Sequence, residues 1–262
     1  MLILVSPAKN VNETRAAGHA TTAPRFVDEA QQIVTVARDW SQDQISDIMK
    51  VSANIAKLNV ERFAHWTPEG DCAAALLFDG DVYRELDYGT LDEAGKSAGS
   101  QRLRILSGLY GLLRPTDAVR AYRMEMGRKI PGHEAGTLYK FWGTKIAKAI
   151  ASDASEIDTD IVLNLASVEY SKAVDQAALG GLQFISPRFE EEKEGKRRVI
   201  GTAAKRARGA MARWVLESGA TTRKQIEDFD TGGYAYDPEA SDAANPVFVR
   251  TQVMAPARKP AA

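Results

Sequence analysis

Arginine and glycine crowd one short part of this chain. Residues 102–129 hold Arg102, Arg104, Arg114, Arg120, Arg123, Arg128 and Lys129 against only Asp117 and Glu125, a local charge of +5 in a chain whose total is −1. Gly108 and Gly111 bracket Leu109 and Tyr110, and Gly127 ends the run. Tight glycine turns expose backbone N–H groups, and guanidinium forks bind phosphate oxygens in pairs, so the combination points to anion recognition. Arg104, Gly108, Gly111, Arg114 and Arg123 are the candidate contacts. Tyr110, Tyr122 and Trp142 are available to stack on bases.

A second basic element runs from Lys205 to Leu216. On a helix, Arg206, Gly209, Ala210 and Arg213 share one face, while Ala207, Met211, Trp214 and Val215 share the other. Small Gly209 and Ala210 between two arginines let a backbone or ligand come close, with Lys205 and Arg208 flanking. An amphipathic helix with a solvated basic side fits the same pattern. Lys9 stands just past an opening apolar strand, where a ligand at the strand's carboxyl edge would meet it. A solvated loop lysine fits that spacing too. Asn164, Ser167, Glu169 and Tyr170 close a later strand and form a polar cluster that a pocket can use, or a capped strand-to-helix turn. Asp79, Asp81, Glu125 and Glu169 can do acid–base work if they converge.

Other chemistry is missing. His19, His65 and His133 are isolated, and Cys72 is the only cysteine. That argues against zinc, a Cys/His dyad and an intramolecular disulfide framework. Asp79-Gly80-Asp81 lacks the further oxygens of a calcium loop and reads as a turn capping the next helix. Ala94-Gly95-Lys96-Ser97 resembles the end of a phosphate loop but lacks its first glycine and its strand. There is no Gly-x-Ser-x-Gly elbow and no dinucleotide fingerprint. No catalytic residue, metal or cofactor is therefore assigned.

These residues need elements to hold them. Leu2–Val5 predicts a buried strand. Helical periodicity runs from Phe26 to Trp40, from a capping start at Ser41 to Met49, and from Ser52 to Trp66. Strands are expected at 73–78, 161–165, 183–186 and 197–201, with a charged turn at 188–196 and an edge strand at 247–251. Helices are expected from Thr144 and through 205–216. The 262 residues, 44% hydrophobic and 26% charged, suffice for a real core. No run approaches the roughly 18 apolar residues of a membrane span. The expectation is a single compact α/β domain over 1–254, a mixed β-sheet core flanked by helices, with a disordered tail at 255–262.

Seven motifs in order resemble the YaaA family. They are Ser6-Pro7-Ala8-Lys9, Phe78-Asp79-Gly80-Asp81-Val82-Tyr83, Leu106-Ser107-Gly108-Leu109-Tyr110-Gly111-Leu112-Leu113-Arg114-Pro115 and Tyr122-Arg123-Met124-Glu125-Met126-Gly127, followed by Phe141-Trp142-Gly143, Asn164-Leu165-Ala166-Ser167-x-Glu169-Tyr170 and Lys205-Arg206-Ala207-Arg208-Gly209-x-Met211-x-Arg213. The resemblance covers residues 1 to about 250. It implies a cytoplasmic bacterial protein of the response to hydrogen peroxide, associated with limiting free iron and oxidative DNA damage. It also implies a basic cleft, duplex-DNA binding and a helix-hairpin-helix element, placed here at Leu106 to Arg114 with its second arm after Pro115.

Two functions follow. A DNA-binding stress protein would use Lys9, Arg104, Gly108, Tyr110, Gly111, Arg114, Arg123, Lys205, Arg206, Arg208 and Arg213 on the phosphate backbone. Its partner is double-stranded DNA, with no membrane, and the chain is expected to be a monomer. An enzyme acting on a phosphorylated or nucleotide-like small molecule would instead line a pocket with Lys9, Asp81, Glu125, Asn164, Ser167, Glu169, Tyr170 and the arginines. An open groove as wide as a duplex favours the first; a closed pocket holding Lys9 and Glu169 favours the second. Direct iron chelation has the least support, since the chain offers no histidine or cysteine cluster.

Overall fold

The computed structural model describes residues 1–19 and 21–251. The tail expected at 255–262 lies outside the described residues. Five strands form the main sheet: β1 (Leu2–Val5), β2 (Leu103–Ser107), β3 (Gly111–Leu113), β4 (Ile161–Leu165) and β5 (Gln183–Ile185). Their order is β3-β2-β1-β4-β5. β1 is parallel to both β2 and β4, β4 is parallel to β5, and only β3 runs antiparallel. β1, β2 and β4 are buried along their whole length. That explains their unbroken apolar runs, since a parallel sheet is covered on both faces. A second sheet holds β6 (Arg188–Lys193), β7 (Lys196–Arg198), β8 (Ala235–Asp237) and β9 (Val247–Thr251), in the order β7-β6-β9-β8.

The helices cover the sheet. α1 (Val27–Ala37) presents Ala30, Ile33, Val34 and Ala37 to the core. α2 (Gln42–Met49) starts at a full capping box between Ser41 and Gln44, as the sequence indicates. α3 (Ala53–Ala64), α4 (Asp81–Leu86), α5 (Glu93–Arg102) and α6 (Lys145–Glu156) follow. A single turn, α7 (Val168–Ser171), leaves the end of β4. The long α8 (Gly201–Ser218) buries Ala207, Met211 and Val215, the face expected to be apolar.

Four local expectations need correction. The helix-hairpin-helix is a β-hairpin. β2 and β3 pair antiparallel with Ser107 opposite Gly111, and Ser107 Oγ closes the turn by accepting the Tyr110 N–H at 2.8 Å. Gly111 has φ +67°, the left-handed conformation such hairpin loops need. After Pro115 the chain makes a turn and the short strand Ala118–Val119, not a helix. The expected strand at 73–78 is a helical turn, Ala74–Leu77, between two-residue strands. The charged turn at 188–196 is mostly β6: the reversal occupies only Glu194 and Gly195, both at positive φ. The presumed edge strand at 247–251 is internal, flanked by β6 and β8.

Candidate binding pocket

β1 sits at the point where the sheet order reverses, with β2 on one side and β4 on the other. Crevices at such switch points, outside the carboxyl ends of the strands, are natural ligand sites. Here the crevice is a pocket of about 520 Å³. Ser6 follows β1 and Ser167 follows β4, and they lock the two ends together. Ser167 N–H donates to Ser6 Oγ at 2.8 Å, and Ser6 Oγ donates to Ser167 Oγ at 3.3 Å. Tyr83 O–H donates to the Ser6 carbonyl at 2.9 Å. Asn164 lies beneath the pocket. Its carbonyl accepts Ala166 N–H at 3.1 Å and its amide donates to Ser186 Oγ at 3.0 Å. It shapes the turn instead of lining the cavity.

The 122–127 segment makes one wall. Its backbone passes directly over Gly108: a Cβ there would lie 2.3 Å from the Met124 carbonyl oxygen. Asn59 Oδ1 accepts the Arg123 N–H at 3.0 Å, and Glu169 Oε1 accepts the Gly127 N–H at 3.0 Å. The buried Glu125 carboxylate gathers Arg123 Nε at 3.3 Å, Arg128 Nε at 3.2 Å and Lys9 Nζ at 3.9 Å. Tyr83, Tyr122 and Tyr170 supply aromatic surface. Burial pushes all three phenols up from their ordinary pKa. They are therefore neutral at physiological pH and serve as hydrogen-bonding groups and ring surface, not as bases.

α8 makes the opposite wall. It crosses α4 so closely that a Cβ on Gly209 would lie 2.1 Å from the Val82 carbonyl oxygen. The backbone that Gly209 admits is thus the chain's own. The crossing aims Lys205 and Arg208 into the pocket. Arg208 is half-buried. Its Nε has no hydrogen-bond partner among the described residues, and burial pulls its pKa down from the ordinary value. A guanidinium keeps its charge regardless. Asp79 and Asp81 face this wall, and both pair outward with Arg84, at 3.3 and 3.9 Å. The lining therefore carries both signs, where a basic cleft was expected. Lys205 and Arg208 are the lining cations without a carboxylate partner among the described residues.

Lys9, Asp81, Arg123, Glu125, Ser167, Glu169, Tyr170, Lys205 and Arg208 thus converge from five separate stretches of chain. The other proposed contacts do not join them. Arg104 is buried, with Nε 2.6 Å from Asp153 Oδ2. Tyr110 is buried too, accepting hydrogen bonds from Trp66 Nε1 at 2.9 Å and Arg120 N–H at 3.1 Å, so no base can stack on it. Trp142 is likewise in the core. Gly108 and Gly111 are glycine because Met124 and the Trp142 ring crowd them, not because a phosphate does. Arg114 lies in a different cavity. Arg206 pairs with Glu85 at 2.6 Å. Arg213 caps α4 by donating to the Leu86 and Asp87 carbonyls at 3.2 and 3.1 Å. Ser6, Tyr83 and Arg128 are site residues that the sequence reading does not single out, although the Ser6–Lys9 and Phe78–Tyr83 motifs contain two of them; Asp79, named with the other carboxylates, does line the pocket.

A UPF0246 protein of Ruegeria sp. (strain TM1040) is 62% identical over 250 residues, covering 95% of this chain and 100% of that protein. UPF0246 proteins of Jannaschia sp. (strain CCS1) and Alcanivorax borkumensis are 44% and 42% identical, over 98% and 99% of their own lengths. Residues 1–240 match the family described as peroxide stress protein YaaA, a span that contains the pocket entire. This chain belongs to the peroxide stress protein YaaA family.

Proposed function

We propose that this member of a peroxide stress family works by binding a phosphorylated, nucleotide-like small molecule in the switch-point pocket. The observation that carries the reading is the pair Lys205 and Arg208, one helical turn apart, without carboxylate partners among the described residues and lining the same pocket. A phosphate there would accept the idle Arg208 N–H in a charge-assisted bond. Carboxylates elsewhere in the lining suit sugar hydroxyls, and the tyrosine rings suit a planar base. The volume falls in the ordinary range for small-molecule sites.

Thermal shift against a panel of nucleoside phosphates and sugar phosphates tests this. A ligand at a hundred times its Kd stabilises by about 2.7 kcal/mol. Arg208→Gln should remove most of that shift while melting normally without ligand. If no compound in the panel shifts the wild type at millimolar concentration, the reading fails.

Duplex-DNA binding is a second reading, favoured by one observation. Lys196, Arg198, Lys205 and Arg206 are all exposed on consecutive elements, β7 and α8. They would contact phosphates without reading sequence. The slope of log affinity against log salt should then be about −0.9 per phosphate contact. Substituting Lys196, Arg198 and Lys205 together by glutamine should flatten that slope; binding indifferent to salt and to these changes excludes it.

A further inference from the structure

A second cavity, of about 220 Å³, opens at the amino-terminal side of β2, away from the switch-point pocket. It is lined by Arg25, Arg104 and Arg114 together with Asp117 and Asp153. Two of the three guanidiniums are committed. Arg104 Nε bonds Asp153 Oδ2 at 2.6 Å, and Arg25 Nη2 bonds the other oxygen of the same carboxylate. Asp117 is also committed, accepting Thr22 Oγ1 at 2.7 Å and the Arg114 backbone N–H at 2.8 Å. The Arg114 guanidinium makes no hydrogen bond or ion pair among the described residues, although its charge lowers the pKa of the neighbouring Asp117 against the upward push of burial. It stands half-buried between this cavity and an adjoining depression of about 430 Å³. Three guanidiniums thus share two carboxylates, and the idle one is the one at the opening.

A half-buried guanidinium with no partner is held at a cost unless something neutralises it. The Asp153 bridge fixes Arg25 and Arg104, two guanidiniums on one carboxylate, in the lining of the cavity that Arg114 shares. A bidentate oxyanion satisfies that arrangement. We propose that Arg114, backed by Arg25 and Arg104, forms a second anion site that takes a phosphate group. The site is independent of the first pocket: about 10 Å of strand separates Arg104 from Ser107, whose Oγ contacts Tyr122 of the pocket wall. A cavity of about 220 Å³ has room for a phosphate group, and the ligand proposed is inorganic phosphate or the phosphoryl group of a small ester.

The experiment is calorimetric titration with inorganic phosphate and, separately, with glucose 6-phosphate. It uses the full chain as wild type, Arg208→Gln, Arg114→Gln and the double variant. Arg114 has no side-chain bond to lose, so Arg114→Gln should melt like wild type. Arg208→Gln removes one of the two anion contacts of the first pocket and leaves Lys205, so the part of the surviving phosphate binding that is sensitive to Arg114 reports the second site. That residual binding should weaken by about tenfold or more when Arg114→Gln is added, the usual size of one lost charge-assisted pair. Tighter binding of the ester than of phosphate would assign the adjoining depression to its organic part. Equal or weaker binding of the ester would assign the site to free phosphate. An Arg208→Gln protein that binds neither probe, or residual binding that Arg114→Gln leaves unchanged, overturns the proposal. Failure of the first pocket's reading shows separately, as nucleotide binding absent from the wild type.

Discussion

Cys72 and the buried tyrosines carry the clearest consequences at the scale of single residues. Peroxide attacks a thiolate, not a thiol. Burial, reinforced by Asp71, pushes the Cys72 thiol up to about 12. The native chain should therefore leave Cys72 unoxidised at neutral pH under peroxide that modifies the urea-unfolded chain. Intact-mass analysis reads this directly, and rapid sulfenic acid formation on the folded protein would contradict it. The same burial has a pH consequence. Cys72, Tyr83, Tyr122 and Tyr170 all have folded pKa values above their unfolded ones. The unfolded state thus releases its protons first as pH rises. The stability these groups contribute is complete below about pH 9 and is lost above it. The urea midpoint should fall steadily from about pH 9 to pH 10.5. A midpoint that rises over that range would refute the assignment.

At the scale of elements, two close approaches set the pocket's walls. α8 rests on α4 through Gly209, and the 122–127 segment rests on the β2–β3 hairpin through Gly108. Both contacts are backbone against glycine, so no rotamer change relieves an added methyl. Gly209→Ala and Gly108→Ala should each cost about 1–3 kcal/mol, and each should weaken ligand binding because the displaced segment carries pocket residues. Gly80→Ala is the control. Its nearest neighbour is the Ala8 side chain at 3.1 Å, and its backbone is extended, so its melting temperature should stay within a few degrees of wild type. Equal losses in all three would mean that the walls do not depend on these contacts. The elements themselves were legible where burial and local chemistry agreed: the Ser41 capping box and the apolar face of α8 are both as read. The helix-hairpin-helix at 106–114 is an implication of the family resemblance, and the two glycines there serve a β-turn instead. What the local pattern does not contain is that β2 of this hairpin joins the main sheet beside β1, about a hundred residues distant in the chain.

At the scale of the whole molecule, α8 joins the two sheets. It packs on β1 and β4 of the first and on β6 of the second. Trp214 on α8 meets Phe229, which packs on Phe189 and Phe248 of the second sheet to form a second lobe, whereas Trp142 sits in the lobe of the main sheet against Phe26. The two lobes should therefore unfold as one. Near-ultraviolet dichroism and tryptophan fluorescence should give coincident urea transitions, and two resolved transitions would show that the lobes are separable.

The sequence by itself determined the α/β class, most strand and helix positions, the family, and the polar residues available for a site. Lys9, Ser167 and Glu169 could be named because each follows a strand end, and strand ends are legible from local pattern. Only the tertiary structure decided which charges meet. Arg104 and Arg208 are the same kind of residue in equally basic surroundings along the chain. One is quenched by Asp153 from a helix far along the chain, and the other is left idle in a pocket wall. Whether a charge is paired depends on what long-range packing brings within about 4 Å of it, and no local window of sequence contains that partner.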